Sequence, residues 1–276
     1  MNNSLISNET HNEKKIAQEW FRELRDQFCK KFEEIDGEKF VRKTWKHSGE
    51  GGGEMSILKG NIFEKVGVNI STVKGEFKED FRKQISGTED APNYWASGIS
   101  VVAHMQSPFV PAFHFNTRFI QTGKKWFGGG ADMTPSIPNN DDVNFFHTSI
   151  ENVCNKHDKN YYPDFKKQCD EYFYLPHRNE TRGIGGIFFD YKKENWEKDF
   201  NFVRDVGLTF KKLFRDIILN KNKKIWTKKQ KEIQYIKRGR YIEFNLLYDR
   251  GTKFGLQTGG NTNAILMSLP PIAKWK

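Results

Sequence analysis

The chain predicts an α+β fold, a mainly antiparallel sheet with helices packed on it. Strand-like stretches outnumber the helices that parallel pairing would need as crossovers. Residues 112–120, AFHFNTRFI, alternate strictly, with Phe113, Phe115, Thr117 and Phe119 on one face and His114, Asn116 and Arg118 on the other, as a strand requires. From about 194 to 219, Trp196, Phe200, Val203, Gly207, Phe210, Phe214 and Ile217 recur four and three apart, the stripe of a long helix.

Taken in order, residues 1 to about 11 are polar and read as a loose, disordered arm, which leaves 12–276 as a single domain. A helix to about residue 36 follows from Ile16, Trp20, Leu24, Phe28, Phe32 and Ile35, with Gly37 placed to end it. The glycines of GEGGG, 49–53, lack a following Lys-Ser/Thr and a helix behind them. A turn or a close backbone approach fits them better than a phosphate loop. Residues 97–105 and 112–120 read as two strands joined through Pro108 and Pro111, and KWFGGGADMTPSIP, 125–138, as a glycine-rich loop. A helix capped by Asp141 or Asp142 carries Val143, Phe146, His147, Ile150, Val153 and Cys154, and a second covers about 163–175. GIGGIFFD, 183–190, reads as a buried strand. After the long helix come a basic helix near 227–237, a strand in GRYIEFNLLYD and a hairpin in TKFGLQTGGNTNAILMSLPP.

The net charge is +10, from 45 Lys and Arg against 35 acids. The lysines are scattered rather than striped, so a nucleic-acid surface is not expected. Cys29, Cys154 and Cys169 have no CxxC spacing, which points to a reducing compartment. No signal-peptide stretch and no bilayer-length apolar run is visible, and a cytoplasmic protein is expected.

Several residues are suited to chemistry. The polar face of 112–120 meets either water or a ligand. The planar fork of Arg118 suits a carboxylate, as do Arg178 and Arg182 in HRNETRGIGG. Asp132 either caps a turn or accepts N–H groups of a ligand. His104, His114, His147 and His177 lack the short spacing of HExxH. They are either separate satisfied histidines or ligands gathered from distant elements. No Gly-x-Ser-x-Gly elbow and no Cys–His signature suggests covalent hydrolysis. The residues alone yield an anion-binding, histidine-bearing pocket on one sheet face, with its reaction open.

Longer blocks say more. WFGGGADMTP, CDEYFYLPHRNETRGIGGIFFD and GRYIEFNLLYDRGTKFGLQTGG resemble the oxygen-dependent coproporphyrinogen-III oxidases of haem biosynthesis. GNIFEKVGVN and SPFVPAFHFNTRF extend the resemblance over nearly the whole chain from about residue 15. The resemblance implies a large antiparallel sheet of about seven strands with helices on both faces. It implies oxidative decarboxylation of two propionates of coproporphyrinogen III to vinyl groups, with dioxygen as oxidant and no organic cofactor. It implies a homodimer joined through carboxy-terminal strands, here about 241–276. By similarity, His114 matches the proton donor, and Ser100, Asn116, Thr117, Arg118, Gly259, Gly260 and Asn261 match substrate contacts. Asp132 is then placed to hold pyrrole N–H groups and Arg182 a propionate. His104, His114, His147 and His177 match positions proposed as divalent-metal ligands in bacterial relatives. The family pattern carries an arginine where Asn261 stands, and a neutral amide cannot pull on a propionate as a cation does. Family members also run on past the final PPIAKWK.

Overall fold

A computed structural model describes residues 2–77, 79–82, 85–89, 91–221, 223–257 and 259–276. In chain order the elements are α1 (Asn2–Asp36), β1 (Val41–Lys46), β2 (Glu50–Leu58), β3 (Phe63–Glu76), α2 (Glu79–Arg82), β4 (Asn93–Met105), β5 (Ala112–Gln121) and β6 (Lys125–Thr134). Then come α3 (Asn140–Asn155), α4 (Tyr161–Tyr172), β7 (Tyr174–Leu175), β8 (Glu180–Thr181), β9 (Gly186–Lys192), α5 (Trp196–Lys221), α6 (Lys228–Leu247), α7 (Arg250–Gln257) and α8 (Thr262–Leu266).

Seven strands form one sheet in the order β1-β2-β3-β4-β5-β6-β9, antiparallel at every pairing. The first six are sequential neighbours, joined by short loops except between β3 and β4, where the connection carries α2. Strand β9 joins β6 only after the α3–α4 excursion. The pair β7–β8 is a separate two-stranded ladder.

The sheet has two unlike faces. On one, Phe115 packs against Phe28 of α1 at 5.6 Å and Phe210 of α5 at 5.3 Å between ring centroids, and Phe119 stacks on Phe127 at 4.7 Å. Phe113, Phe115, Phe119, Val66, Val68 and Val101 are all buried there. Helices α1 and α5 lie across this core, and α3 packs on α5. On the other face, Tyr241 of α6 meets His104 of β4 edge-on at 5.1 Å. Met267, just after α8, fills the space that Gly67 leaves open. The α+β reading with helices on both faces therefore holds.

Several local expectations are corrected. The stretch 125–134 is strand β6, not a loop, and every residue from Trp126 to Thr134 is buried. Its glycines are strand residues because neighbouring groups press on them: a Cβ on Gly128 would lie 2.6 Å from Asp190 Oδ1, and one on Gly130 2.8 Å from the Ile187 carbonyl oxygen. GEGGG belongs to strand β2, where a Cβ on Gly53 would lie 2.5 Å from the Trp45 ring. A close approach, not a turn, explains that glycine. Helix α1 spans Asn2–Asp36, and its core-facing part begins beyond the polar stretch to about residue 11. No Gly or Pro interrupts that stretch, although the apolar stripe begins only at Ile16. The cap of α3 is Asn139, whose side chain accepts from Asp142 N at 3.1 Å, rather than either aspartate.

The carboxy-terminal third differs most. GRYIEFNLLYD is the second half of α6, and the expected hairpin is α7 and α8. No strand occurs among the described residues of 241–276. Helix α6 opens with a capping box of Thr227 and Gln230. Its buried side chains, Gln234, Arg238, Tyr241, Phe244 and Asn245, follow helical spacing. Tertiary burial has overridden the strand-like aromatic alternation of its last turns.

Candidate active site

Strand β5 is half-buried and fully buried by turns, from Ala112 to Ile120. His114, Asn116 and Arg118 thus share the face under α6–α8. Strand pairing fixes their neighbours. His114 stands between Val102 and Asp132, Asn116 between Ser100 and Gly130, and Arg118 between Gly98 and Gly128. The residues flanking Asn116 and Arg118 are therefore glycine and serine, small enough for Arg118 and Asp190 to lie over Gly128.

The three polar side chains are connected. Arg118 Nη1 donates to Asn116 Oδ1 at 3.4 Å, and the Asn116 amide nitrogen lies 3.3 Å from His114 Nε2. His114 Nδ1 lies 2.5 Å from Asp132 Oδ2. A carboxylate at Nδ1 and an amide donor at Nε2 select one tautomer, with the proton on Nδ1. The lone pair of Nε2 then accepts from the Asn116 amide, a long contact of 3.3 Å that a stronger donor can replace.

Behind His114 the charges are buried. The other Asp132 oxygen accepts from Arg182 Nη2, and both side chains are almost wholly enclosed. Arg182 also donates to Asn245 Oδ1 at 3.1 Å. Its guanidinium lies 4.0 Å from the Phe173 ring and 4.4 Å from the Tyr241 ring. Burial pushes the Asp132 carboxyl up, but Arg182 and then His114 outweigh it and hold it below the usual aspartate range. The histidine is thereby fixed by a carboxylate that is itself fixed by an arginine. In this structure the two residues expected to meet pyrrole N–H groups and a propionate, Asp132 and Arg182, are engaged with each other.

Arg118 is the accessible cation of the wall. Its Nη2 lies 2.8 Å from Asp190 Oδ2, with about 30% of its side chain exposed. Gly128 makes this pair possible, since a Cβ there would lie 2.8 Å from the Arg118 guanidinium carbon. Strand β9 carries a bulge at this point: Phe127 pairs with Lys192 while Gly129 pairs with Phe189. Tyr191 adopts a left-handed φ of 52° within it. Such a bulge re-aims side chains beside a site. Asp190 was not singled out from the sequence. Its only signal there is an acid ending the apolar run GIFF.

The remaining expected residues are dispersed. Thr117 points to the opposite, phenylalanine face and is buried there. Gly259 has a φ of +79° and abuts Ser48, and the Gly260 N–H donates to the Gly255 carbonyl at 2.9 Å. Asn261 caps α8, its side chain accepting from Ala264 N at 3.0 Å. The four histidines do not form one donor set. His104 Nε2 lies 2.9 Å from the Ser268 carbonyl oxygen, His147 Nδ1 3.0 Å from the Tyr162 hydroxyl, and His177 Nε2 2.8 Å from Glu243. Among the described residues no group of three His, Cys, Asp or Glu could hold a metal ion. These residues do not fit a shared divalent-metal site, and no chemical step is routed through one below. A groove of about 490 Å³ opens between α1 and the β1–β3 end of the sheet, but none of the expected site residues lines it.

Comparison with known proteins decides the family. The family model for coproporphyrinogen III oxidase matches residues 16–276. The chain belongs to the coproporphyrinogen III oxidase family. The oxygen-dependent coproporphyrinogen-III oxidases of Rickettsia bellii and Rickettsia akari are each 55% identical to it over 273 residues, covering 95% of this chain and 98% of theirs. That of Rickettsia africae is 54% identical over the same span. Among the described residues, no helix of this family member is long and apolar enough to cross a membrane.

Proposed function

We infer that this chain is an oxygen-dependent coproporphyrinogen-III oxidase. It converts two propionates of coproporphyrinogen III to vinyl groups with dioxygen and yields protoporphyrinogen IX in haem biosynthesis. Family membership over nearly the whole chain carries this reading, and the polar wall of β5 suits it. For each propionate, the substrate loses carbon dioxide and two electrons with two protons, and dioxygen takes these up as hydrogen peroxide. The electrons come from the propionate side chain as its carboxylate is lost and the ring stays at the porphyrinogen level, so dioxygen alone balances the reaction and no organic cofactor is needed.

The wall supports a division of roles among its residues. The substrate presents carboxylates at its rim and pyrrole N–H groups at its centre. Arg118 exchanges Asp190 for a propionate, since its fork binds a carboxylate through paired, charge-assisted hydrogen bonds. Ser100 and Asn116, side by side across β4 and β5, offer hydrogen bonds to the ring. His114 accepts a pyrrole proton at Nε2 while Asp132 holds Nδ1–H and stabilises the imidazolium that forms. The ionised pyrrole is electron-rich enough to add dioxygen directly. The bound peroxide then takes a proton from the propionate methylene beside the ring, and the ring–oxygen bond breaks with its electron pair on the peroxide. Loss of the carboxylate as carbon dioxide returns a pair to the ring and leaves the vinyl group. His114 gives its proton back to the pyrrole nitrogen, and one proton from solvent completes hydrogen peroxide.

The homodimer reading attaches to 241–276 without its strands. It finds support in Leu246, Leu247, Leu256, Ile272 and Trp275, all large apolar residues left exposed there. Sedimentation of the purified chain tests it, and a monomer at micromolar concentration would overturn it. A cytoplasmic location accords with three free, buried cysteines. The functional reading is tested by incubating the purified chain with coproporphyrinogen III, with and without air, and resolving mono- and divinyl products. Oxygen-dependent vinyl formation is expected. Unchanged substrate in air would refute the assignment.

A further inference from the structure

Two residues along their strands from Val102, His114 and Asp132, on the same sheet face, stand His104, Ala112 and Thr134. Helix α6 covers them with Gln234, Arg238 and Tyr241, which line a small cavity of about 10 Å³. That is room for about one water molecule. Four of its lining side chains, His104, Thr134, Gln234 and Tyr241, are each more than nine-tenths buried. Each also carries unused hydrogen-bonding capacity: His104 Nδ1, Thr134 Oγ1 and Gln234 Oε1 have no partner in the protein, and the Tyr241 hydroxyl, beside Asn245, still has its proton to donate. Buried polar groups left unpaired are rare and destabilising, so such a concentration around one cavity calls for a ligand.

The donor and acceptor count identifies it. His104 Nε2 faces the Ser268 carbonyl oxygen at 2.9 Å and so carries the ring proton, leaving Nδ1 an acceptor. The Gln234 amide nitrogen donates to the Met105 and Ser107 carbonyls at 3.0 and 3.1 Å, leaving Oε1 an acceptor. Tyr241 and Thr134 each have a hydroxyl to donate. Two acceptors and two donors are the complement of one water, with its two hydrogens and two lone pairs. A cation is disfavoured by Arg238 and Lys237 in the same lining. An anion would meet two acceptor atoms.

We propose that this cavity is a built hydration site, in which one ordered water bridges His104, Thr134, Gln234 and Tyr241 and ties helix α6 to strands β4 and β6 beside the His114–Asp132 pair. The site is independent of the reaction assigned above. A crystal structure of the whole chain at about 1.5 Å resolution tests it directly. A single water peak within about 3.2 Å of at least three of the four atoms is expected. An empty cavity, or side chains closed directly onto one another, would overturn the proposal. Thr134→Val and Tyr241→Phe each remove one donor with little change of shape. Each is expected to lower the unfolding midpoint, and the double variant to lose less than the sum, because both act through one shared water. Strictly additive losses would count against a shared water. Should either variant fail to fold, the wild-type density still decides.

Discussion

The two faces of strand β5 have the same backbone and opposite work. Phe113, Phe115 and Phe119 are sealed among the rings of α1 and α5. One residue over, His114, Asn116 and Arg118 are only half-buried and hydrogen-bonded in a line. Packing holds the first face rigid, and that rigidity is what positions the second. The buried Asp132–Arg182 pair extends the same logic: its charges are enclosed so that one imidazole keeps one orientation. The difference teaches that stability and reactivity are separable here by a single step along the chain.

Substitutions can break that separation or sharpen it. His114→Ala is expected to slow vinyl formation by about 10²–10⁴-fold, the range for a positioned general acid–base. It is expected to cost about 1–3 kcal/mol of stability, because the enclosed Asp132 loses one hydrogen-bond partner, less than a core truncation. Steady-state kinetics beside thermal unfolding reads both, and wild-type turnover would remove His114 from the mechanism. Phe115→Ala should do the reverse. Loss of a fully buried ring costs about 3–5 kcal/mol of stability, while turnover per folded molecule stays within a few fold. Denaturant titration with active-site counting checks this, and an equal collapse of kcat in folded protein would join the two faces.

Acidity offers a weaker perturbation on the helix-covered side. Glu243 of α6 accepts from Arg178, His177 and Trp275, and Arg178 above all draws its carboxyl down to about 2. A carboxyl lowered on folding contributes stability that is complete above its unfolded value, here 4.5, and is lost as pH falls toward 2. Glu243→Gln should therefore flatten the acid limb of stability against pH between those values and change little near neutrality. An unaltered acid limb would show that this network does not hold α6. The smallest effect is expected from Thr117→Val. The Thr117 hydroxyl is buried without a partner on the phenylalanine face, so stability should stay level or rise slightly and KM should not move. A raised KM would return Thr117 to the substrate wall.

Much of this was legible from residue order. Strict alternation at 112–120 gave both faces of β5, and the stripe from Trp196 to Ile217 matches helix α5. Strand β6 was missed because Gly128, Gly129 and Gly130 have no side chains to alternate. What selects glycine there, the Arg118–Asp190 pair and the β5 and β9 backbones, comes from other elements. The end of α6 was missed because Tyr241 and Phe244 favour strands locally, while their burial against Arg182 and Phe173 favours a helix. Asp132 and Arg182 were both singled out, yet their pairing across 50 residues was not. An ion pair leaves no periodic trace. For the same reason the four histidines could be noticed but not separated without coordinates.

The central claim is that the polar face of β5 is where the macrocycle sits, with Arg118 on a propionate and His114 against the ring. A crystal structure of the chain soaked with coproporphyrin III, the oxidised and unreactive form of the substrate, tests it most directly. The account predicts the ring over Ser100 and Asn116, Arg118 released from Asp190 onto a ligand carboxylate, and His114 Nε2 facing the pyrroles. A porphyrin bound elsewhere, such as in the groove between α1 and β1–β3, with Arg118 still on Asp190, would contradict it.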